Sequence, residues 1–259
     1  MTHWSHDETR RLGQSAFALV AILTILIATL ISPNFVSGQE PKPAGNTPIK
    51  DSPDKATAVF GGGCFWCMEA VFERVWGVDA VVSGYSGGNL PNPSYQQGLT
   101  DTTGHAEVIR IEYNPAVVSY TDLLKIFFKS HDPTSLNAQG PDHGTRYRSV
   151  IFYKTEDEKE QVEALLDEFK KKKTFRGKIV TEVSPLRNFY DAEEYHQDYF
   201  EKHPDQPYCE MNIRPKIGKF EKGFKENSKL QKTKEEKLQQ SKPNRPSPGK
   251  AGTSNGDKP

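Results

Sequence analysis

Thr57-Ala58-Val59-Phe60-Gly61-Gly62-Gly63-Cys64-Phe65-Trp66-Cys67-Met68-Glu69 changes character twice. Thr57 to Phe60 is short, apolar and β-prone, which suits a buried strand. Three glycines follow, a combination that lets the backbone turn sharply and lets another group approach closely. Helix-compatible residues then continue to about Val75, so a helix is expected from Cys64 onward. Cys64 therefore falls at a helix N-terminus. Unpaired N–H groups and the positive end of the helix dipole favour a thiolate there, and the thiolate is the nucleophilic form of cysteine.

Outward from this junction, Val78 to Ser83 reads as a second strand and His105 to Tyr113 as a third, stopped by Asn114-Pro115. Tyr120 to Ser130 is a helix with Leu123, Leu124, Phe127 and Phe128 on its apolar stripe. Ser149 to Tyr153 is a fourth strand, Glu156 to Lys172 a charged amphipathic helix, and Lys178 to Val183 a further strand. Asp191 is expected to start a last helix, with Glu194 three residues on as in a capping box. The order strand, helix, strand, strand, helix, strand is the split βαβ pattern of a ferredoxin-like two-layer α+β sandwich. The loops 84–104 and 131–148 are long and rich in Gly, Pro, Asn, Tyr and His, which marks them as functional.

The flanks read differently. Arg10-Arg11 precedes an apolar and small run from Ala16 to Ile31, followed by Ser32-Pro33-Asn34 and the small residues Val36-Ser37-Gly38. Residues 1–38 are therefore expected to be a secretory signal peptide or a membrane anchor, with the folded part exported to a periplasmic or secreted location. Residues 39–55 read as a flexible linker, 56–217 as the folded domain and 218–259 as a charged, largely disordered tail. Lys plus Arg and Asp plus Glu stand at 34 each, a balance that argues against a nucleic-acid binder. Three cysteines are too few for a disulfide scaffold. A zinc site needs further ligands at regular spacing; beyond Cys64 and Cys67 only Cys209 remains, so no metal is expected.

Two features carry chemistry. Cys64-x-x-Cys67 has the spacing of a redox dithiol, although Phe65 and Trp66 between the cysteines suit a pocket for a small apolar group better than a protein disulfide. On the third strand, Glu107, Ile109, Ile111 and Tyr113 share one face. A carboxylate on such a face is desolvated, keeps its proton and serves as a general acid; an edge-strand glutamate facing solvent would show the same pattern.

Gly63-Cys64-Phe65-Trp66, Gly84-Tyr85-Ser86-Gly87-Gly88, Asn92-Pro93-Ser94-Tyr95, Gly104-His105-Ala106-Glu107, His131-Asp132-Pro133-Thr134, Asp142 to Ser149 and Glu193 to Tyr199 occur in that order. Together, from about Phe60 to Pro215, they resemble the A class of peptide methionine sulfoxide reductases. The resemblance implies a ferredoxin-like α+β fold and reduction of methionine-S-sulfoxide, free or in peptides and oxidised proteins, by a monomer without metal or organic cofactor. Cys64 would attack the sulfoxide sulfur and become a sulfenic acid. Glu107 would protonate the oxygen, with Tyr95 and Tyr147 as hydrogen-bond donors to it and Asp142 in support. Phe65 and Trp66 would wall the methyl group. Cys209, placed in a coil segment, would resolve the sulfenic acid as a disulfide, which thioredoxin or another thiol reduces. Cys67 stands where glycine is commoner and is a second candidate to resolve. His196 is expected to be a structural hydrogen-bonder. Two other functions fit parts of the pattern: a general disulfide oxidoreductase using Cys64 and Cys67, and a tethered binding domain whose aromatic pocket holds a methionine-containing segment.

Overall fold

The computed structural model describes residues 45–46, 51–52 and 54–225. The expected signal peptide or anchor, most of the linker and the tail beyond Lys225 lie outside the described residues.

The chain order is β1 (Ala56–Gly62), α1 (Phe65–Phe72), β2 (Val78–Ser86), α2 (Tyr95–Leu99), β3 (Ala106–Tyr113), α3 (Tyr120–Ser130), β4 (Ala138–Gln139), β5 (Asp142–His143), a 3-10 turn (Thr145–Tyr147), β6 (Ser149–Tyr153) and α4 (Glu156–Lys172). Then come β7 (Glu182–Pro185), β8 (Tyr190–Asp191), a 3-10 turn (Glu194–His196), α5 (Tyr199–Lys202), a π-helical turn (Cys209–Ile213) and α6 (Arg214–Lys225). The main sheet has the order β7-β6-β1-β3-β2-β8. Its centre, β6-β1-β3-β2, is antiparallel throughout, as the split βαβ pattern requires, and β7 joins β6 in parallel. The α+β sandwich is therefore the one expected.

One face of the sheet holds the main core. Phe60, Ile109, Ile111 and Ile151 pack there with Phe72 of α1, Leu123, Leu124 and Phe127 of α3, and Val162 and Leu165 of α4. The other face carries a smaller cluster of Val59, Ala106, Val108, Val150, Phe152 and Phe189. The alternation along β3 places Glu107 on the main core face, in register with Tyr85 of β2.

Four expectations are corrected. Asp191 does not start a helix: it lies in β8, where its carboxylate accepts from the buried Arg110 guanidinium at 3.0 Å. A buried guanidinium without a partner is costly, and that demand outweighs the local capping pattern. Glu194 lies instead in a single 3-10 turn. The strand placed at Lys178 to Val183 forms four residues later, because Val180 spends its N–H on the Pro133 carbonyl at 2.8 Å. The segment around Cys209 is helical rather than coil, and α6 runs to Lys225, past the boundary expected at 217. Ile213, Ile217 and Phe220 are its buried stripe.

The glycine run has a steric purpose. A Cβ on Gly61 would stand 2.8 Å from the Glu107 carbonyl oxygen and 2.9 Å from Val150 Cγ1. Gly63 has φ +94°, and a Cβ there would meet Gln139 Cβ at 2.6 Å. Gly61→Ala is expected to destabilise the domain by about 1–3 kcal/mol, the usual cost of an overpacked core. Urea unfolding measures it; a midpoint equal to wild type would show that the sheet yields without cost.

Candidate active site

Helix α1 starts without a capping side chain of its own. Its N-cap is Cys64, with φ −54° and ψ 126°, and no side-chain cap bond is made there. The Phe65 N–H donates instead to Glu107 Oε2 at 3.2 Å, across from β3. Glu107 is thus both the long-range cap of α1 and a carboxyl next to the cysteine that begins it. Cys64 is 5% exposed and Glu107 3%.

Burial raises Glu107 to about 8, against the opposing hydrogen bond from Phe65 and the nearby charge of Arg146. The carboxyl is therefore protonated at neutral pH, as its place on an apolar strand face implies. Cys64 departs from expectation. Burial pushes its thiol well up, and Cys67 and the Glu107 charge add to this. Cys67 is brought down to about 7, first by its hydrogen bond with Cys64 and, against burial, by the charge of Lys216. Burial therefore holds the Cys64 thiol protonated in the resting enzyme, and Cys67 is the more acidic thiol of the two.

Around these groups lie the aromatic residues. Trp66 is half-buried and stacks on Tyr199 at 3.7 Å with 7° between planes, while Tyr208 meets it edge-on at 5.8 Å. The Tyr208 hydroxyl donates to Asp142 Oδ2 at 2.7 Å and stands 3.7 Å from Cys67 Sγ. Tyr147 is buried beneath the Arg146 guanidinium, 4.5 Å from its ring centroid. A small cleft is lined by Tyr85, Tyr95, His105, Glu107 and Arg146. Burial raises the hydroxyl pKa of Tyr95 and of Tyr147, which keeps both protonated.

The structure therefore brings Cys64, Cys67, Glu107, Tyr95, Tyr147 and Asp142 into one neighbourhood. Cys209 is fully buried in the same core cluster. Phe65 is placed differently from the expected wall: it turns into the core, its ring 5.9 Å from Tyr85 and 5.1 Å from His196, and leaves Trp66 as the more open ring. His196 is not a hydrogen-bonder among the described residues. Both ring nitrogens are buried without a hydrogen-bond partner, Nε2 stands 3.9 Å from the Glu193 carboxyl, and the ring packs against Phe65, Trp66 and Tyr95.

Sequence reasoning missed Glu193, which is buried and accepts from the Tyr85 hydroxyl at 3.0 Å and the Tyr95 N–H at 2.8 Å. It ties the loop bearing Tyr95 to β2. Tyr199 and Tyr208 were also missed as individual site residues. Among the described residues no His, Cys, Asp and Glu group could hold a metal ion.

A buried cysteine pair at a helix start, next to a protonated carboxyl and an aromatic wall, defines a thiol-based oxidoreductase whose first step needs an acid. The family model of peptide methionine sulfoxide reductase matches residues 56–228. The peptide methionine sulfoxide reductase MsrA of Nautilia profundicola is 55% identical over 172 residues, covering 66% of this chain and 98% of the relative. The reduced form of Mxr1 from Saccharomyces cerevisiae superposes with TM-score 0.57 at 34% identity, covering 62% of this chain and 92% of that one. Methionine sulfoxide reductase A of Corynebacterium diphtheriae does so with TM-score 0.54 at 30% identity, covering 66% and 92%. The chain belongs to the peptide methionine sulfoxide reductase family and is an enzyme that reduces methionine sulfoxide.

The protonation of Glu107 has two measurable consequences. A glutamate with the ordinary value of 4.5 is ionised in the unfolded chain where the folded chain still holds its proton, up to about 8. Between these values the folded state binds more protons, so this group lowers stability as pH rises through the window. Glu107→Gln carries no such penalty and keeps an acceptor for Phe65. Its unfolding free energy should therefore gain on wild type between about pH 5 and pH 8. The single-turnover rate of the same variant should fall by about 10²–10⁴-fold, the usual worth of general acid catalysis. Wild type alone should lose rate above about pH 8 as the acid ionises. Equal rates for both proteins across the range would remove Glu107 as the acid.

Proposed function

We propose that the chain reduces the S epimer of methionine sulfoxide, with Cys64 as nucleophile and Glu107 as the acid. The observation that carries this reading is the Phe65 N–H to Glu107 bond, which holds the carboxyl against the helix end that presents Cys64. As Cys64 Sγ attacks and bonds to the sulfoxide sulfur, it gives up its thiol proton. Glu107 protonates the sulfoxide oxygen and recovers a proton from the Cys64 thiol; the resulting hydroxyl then passes from the methionine sulfur to Cys64 Sγ as the transient S–S bond breaks, which leaves a Cys64 sulfenic acid and methionine. Tyr95 and Tyr147 donate hydrogen bonds to that oxygen, because burial keeps both hydroxyls protonated. Asp142 acts through Tyr208, whose hydroxyl it anchors. Trp66 supplies the apolar surface for the methyl group, backed by Phe65.

The choice of epimer rests on membership of the A class, since separate reductases serve the two sulfoxide epimers. The sulfenic acid is resolved as an intramolecular disulfide, which a thioredoxin-type dithiol returns to thiols. The charged start and apolar run of residues 1–38 support an exported enzyme that repairs oxidised proteins and peptides.

Cys64→Ser should abolish reduction of both free and peptide-bound sulfoxide, because an alcohol is a far weaker nucleophile at neutral pH. Turnover of each separated epimer with dithiothreitol is the assay. Activity in folded Cys64→Ser protein would disprove the assignment, and preference for the R epimer would disprove the stereochemistry.

A further inference from the structure

Resting on the reading of Tyr95 and Tyr147 as donors to the sulfoxide oxygen, we infer that Asp101 and Arg146 are positioning residues. They form a clamp that ties the segment bearing Tyr95 to the segment bearing Tyr147 and so fixes the two hydroxyls relative to each other.

The segment of Tyr95 needs such a tie. Tyr95 opens α2, a helix of five residues with none of them buried. Burial of an apolar face anchors most helices, and α2 has no such face. Polar contacts hold it at both ends instead. At the front, the Tyr95 N–H donates to Glu193 Oε1 at 2.8 Å. At the back, Arg146 Nη1 donates to the carbonyl of Leu99, the last residue of α2, at 3.4 Å. Arg146 belongs to the 3-10 turn Thr145–Tyr147, in which Tyr147 is the buried residue.

Asp101 completes the tie. It stands two residues beyond α2. Its Oδ1 accepts from Arg146 Nη1 at 3.2 Å, from the Arg146 N–H at 3.4 Å and from the Thr145 hydroxyl at 3.4 Å. One carboxylate oxygen thus gathers both side chain and backbone of the turn that ends in Tyr147. The chain is shaped to let it in. Gly144 has φ +130°, and a Cβ there would collide with the Asp101 carboxylate. Asp101 itself has φ +56°, a left-handed conformation that aspartate adopts more readily than most residues. The guanidinium that grips α2 also lies 4.5 Å over the centroid of the Tyr147 ring, a cation–π contact. Arg146, Tyr95 and Glu107 line one cleft, so the clamp closes at the edge of the site.

The Asp101–Arg146 pair is partly exposed, and such pairs contribute little to global stability. Its effect is on geometry. Two donors that must meet a single oxygen depend on their spacing, and a small misplacement of groups around a reacting centre costs rate steeply.

Single-turnover release of methionine from saturating methionine sulfoxide, without reductant, tests the clamp. The full chain is held below the Glu107 value of about 8, so that the acid keeps its proton. Asp101→Gly removes the carboxylate and keeps the positive φ, which glycine adopts without strain. Its rate should fall about 10–10²-fold, and Asp101→Asn, which keeps Oδ1 as an acceptor, should recover most of the loss. In the Tyr95→Phe/Tyr147→Phe background no hydroxyls are left to place, so Asp101→Gly should change the rate by less than about twofold. Added to Arg146→Gln, which opens the same clamp from the other side, it should again cost less than about twofold. A wild-type rate for Asp101→Gly overturns the clamp. So does an undiminished loss in the Tyr95→Phe/Tyr147→Phe background, because general damage to the fold would persist there, and so does a loss that multiplies with that of Arg146→Gln. A wild-type rate for Tyr95→Phe/Tyr147→Phe itself would overturn the tyrosine assignment, and the clamp with it.

Discussion

The bond from the Phe65 N–H to the buried Glu107 carboxyl is the constraint on which the rest of the site depends. A carboxyl inside an apolar core is costly unless it is neutral and hydrogen-bonded. Glu107 meets both conditions, and in doing so it satisfies a backbone donor that α1 leaves unpaired. This arrangement requires β3 to sit beside β1 at close range, which the missing side chain of Gly61 allows. It also requires the Cys64 end of α1 to point at β3, which the turn at Gly63 provides. Acid and nucleophile are therefore set by the packing of the sheet, not by a mobile loop.

The aromatic wall is built the other way, from distant parts of the chain. Trp66 belongs to α1, but Tyr199 stacks on one of its faces and Tyr208 meets it edge-on, and both come after the sheet is complete. Tyr208 links this cover to Asp142 of the β4–β5 hairpin. The C-terminal segment is held in turn by Ile213, Ile217 and Phe220 in the main core. Helix α6 is thus part of the structure that keeps Tyr208 and Cys209 over α1, and the charge of Lys216 in its first turn is sensed by Cys67.

Much of this was legible in the sequence because it rests on local periodicity. The strand, glycines and helix around Cys64 announce themselves, and the alternation Glu107, Ile109, Ile111, Tyr113 makes Glu107 a candidate for the core face, with a solvent-facing edge strand as the alternative. What was not legible depends on partners far along the chain. Asp191 and Glu194 spell a capping box, yet Arg110 on β3 claims Asp191. Glu193 reads as an ordinary acidic residue, and only the fold brings it to Tyr85 and Tyr95. Gly218, Gly223 and many lysines hide the apolar stripe of α6. Cys64 was read from the helix dipole alone, which favours a thiolate; burial and a second thiol one turn away reverse the balance in the resting enzyme.

That reversal bears on how the enzyme survives its own environment. A thiolate that is both exposed and permanently ionised reacts with any oxidant and climbs to irreversible acids. Here the nucleophile is nearly buried and keeps its proton, while the adjacent acid is also neutral. The site therefore holds no concentrated charge at Cys64 itself. On the reading proposed above, attack calls for an electrophile that fits against Trp66 and places its oxygen near Glu107. A sulfoxide beside a methyl group meets both demands; hydrogen peroxide has no apolar part to seat on the wall. In that reading selectivity comes from coupling ionisation of the nucleophile to the correct pose.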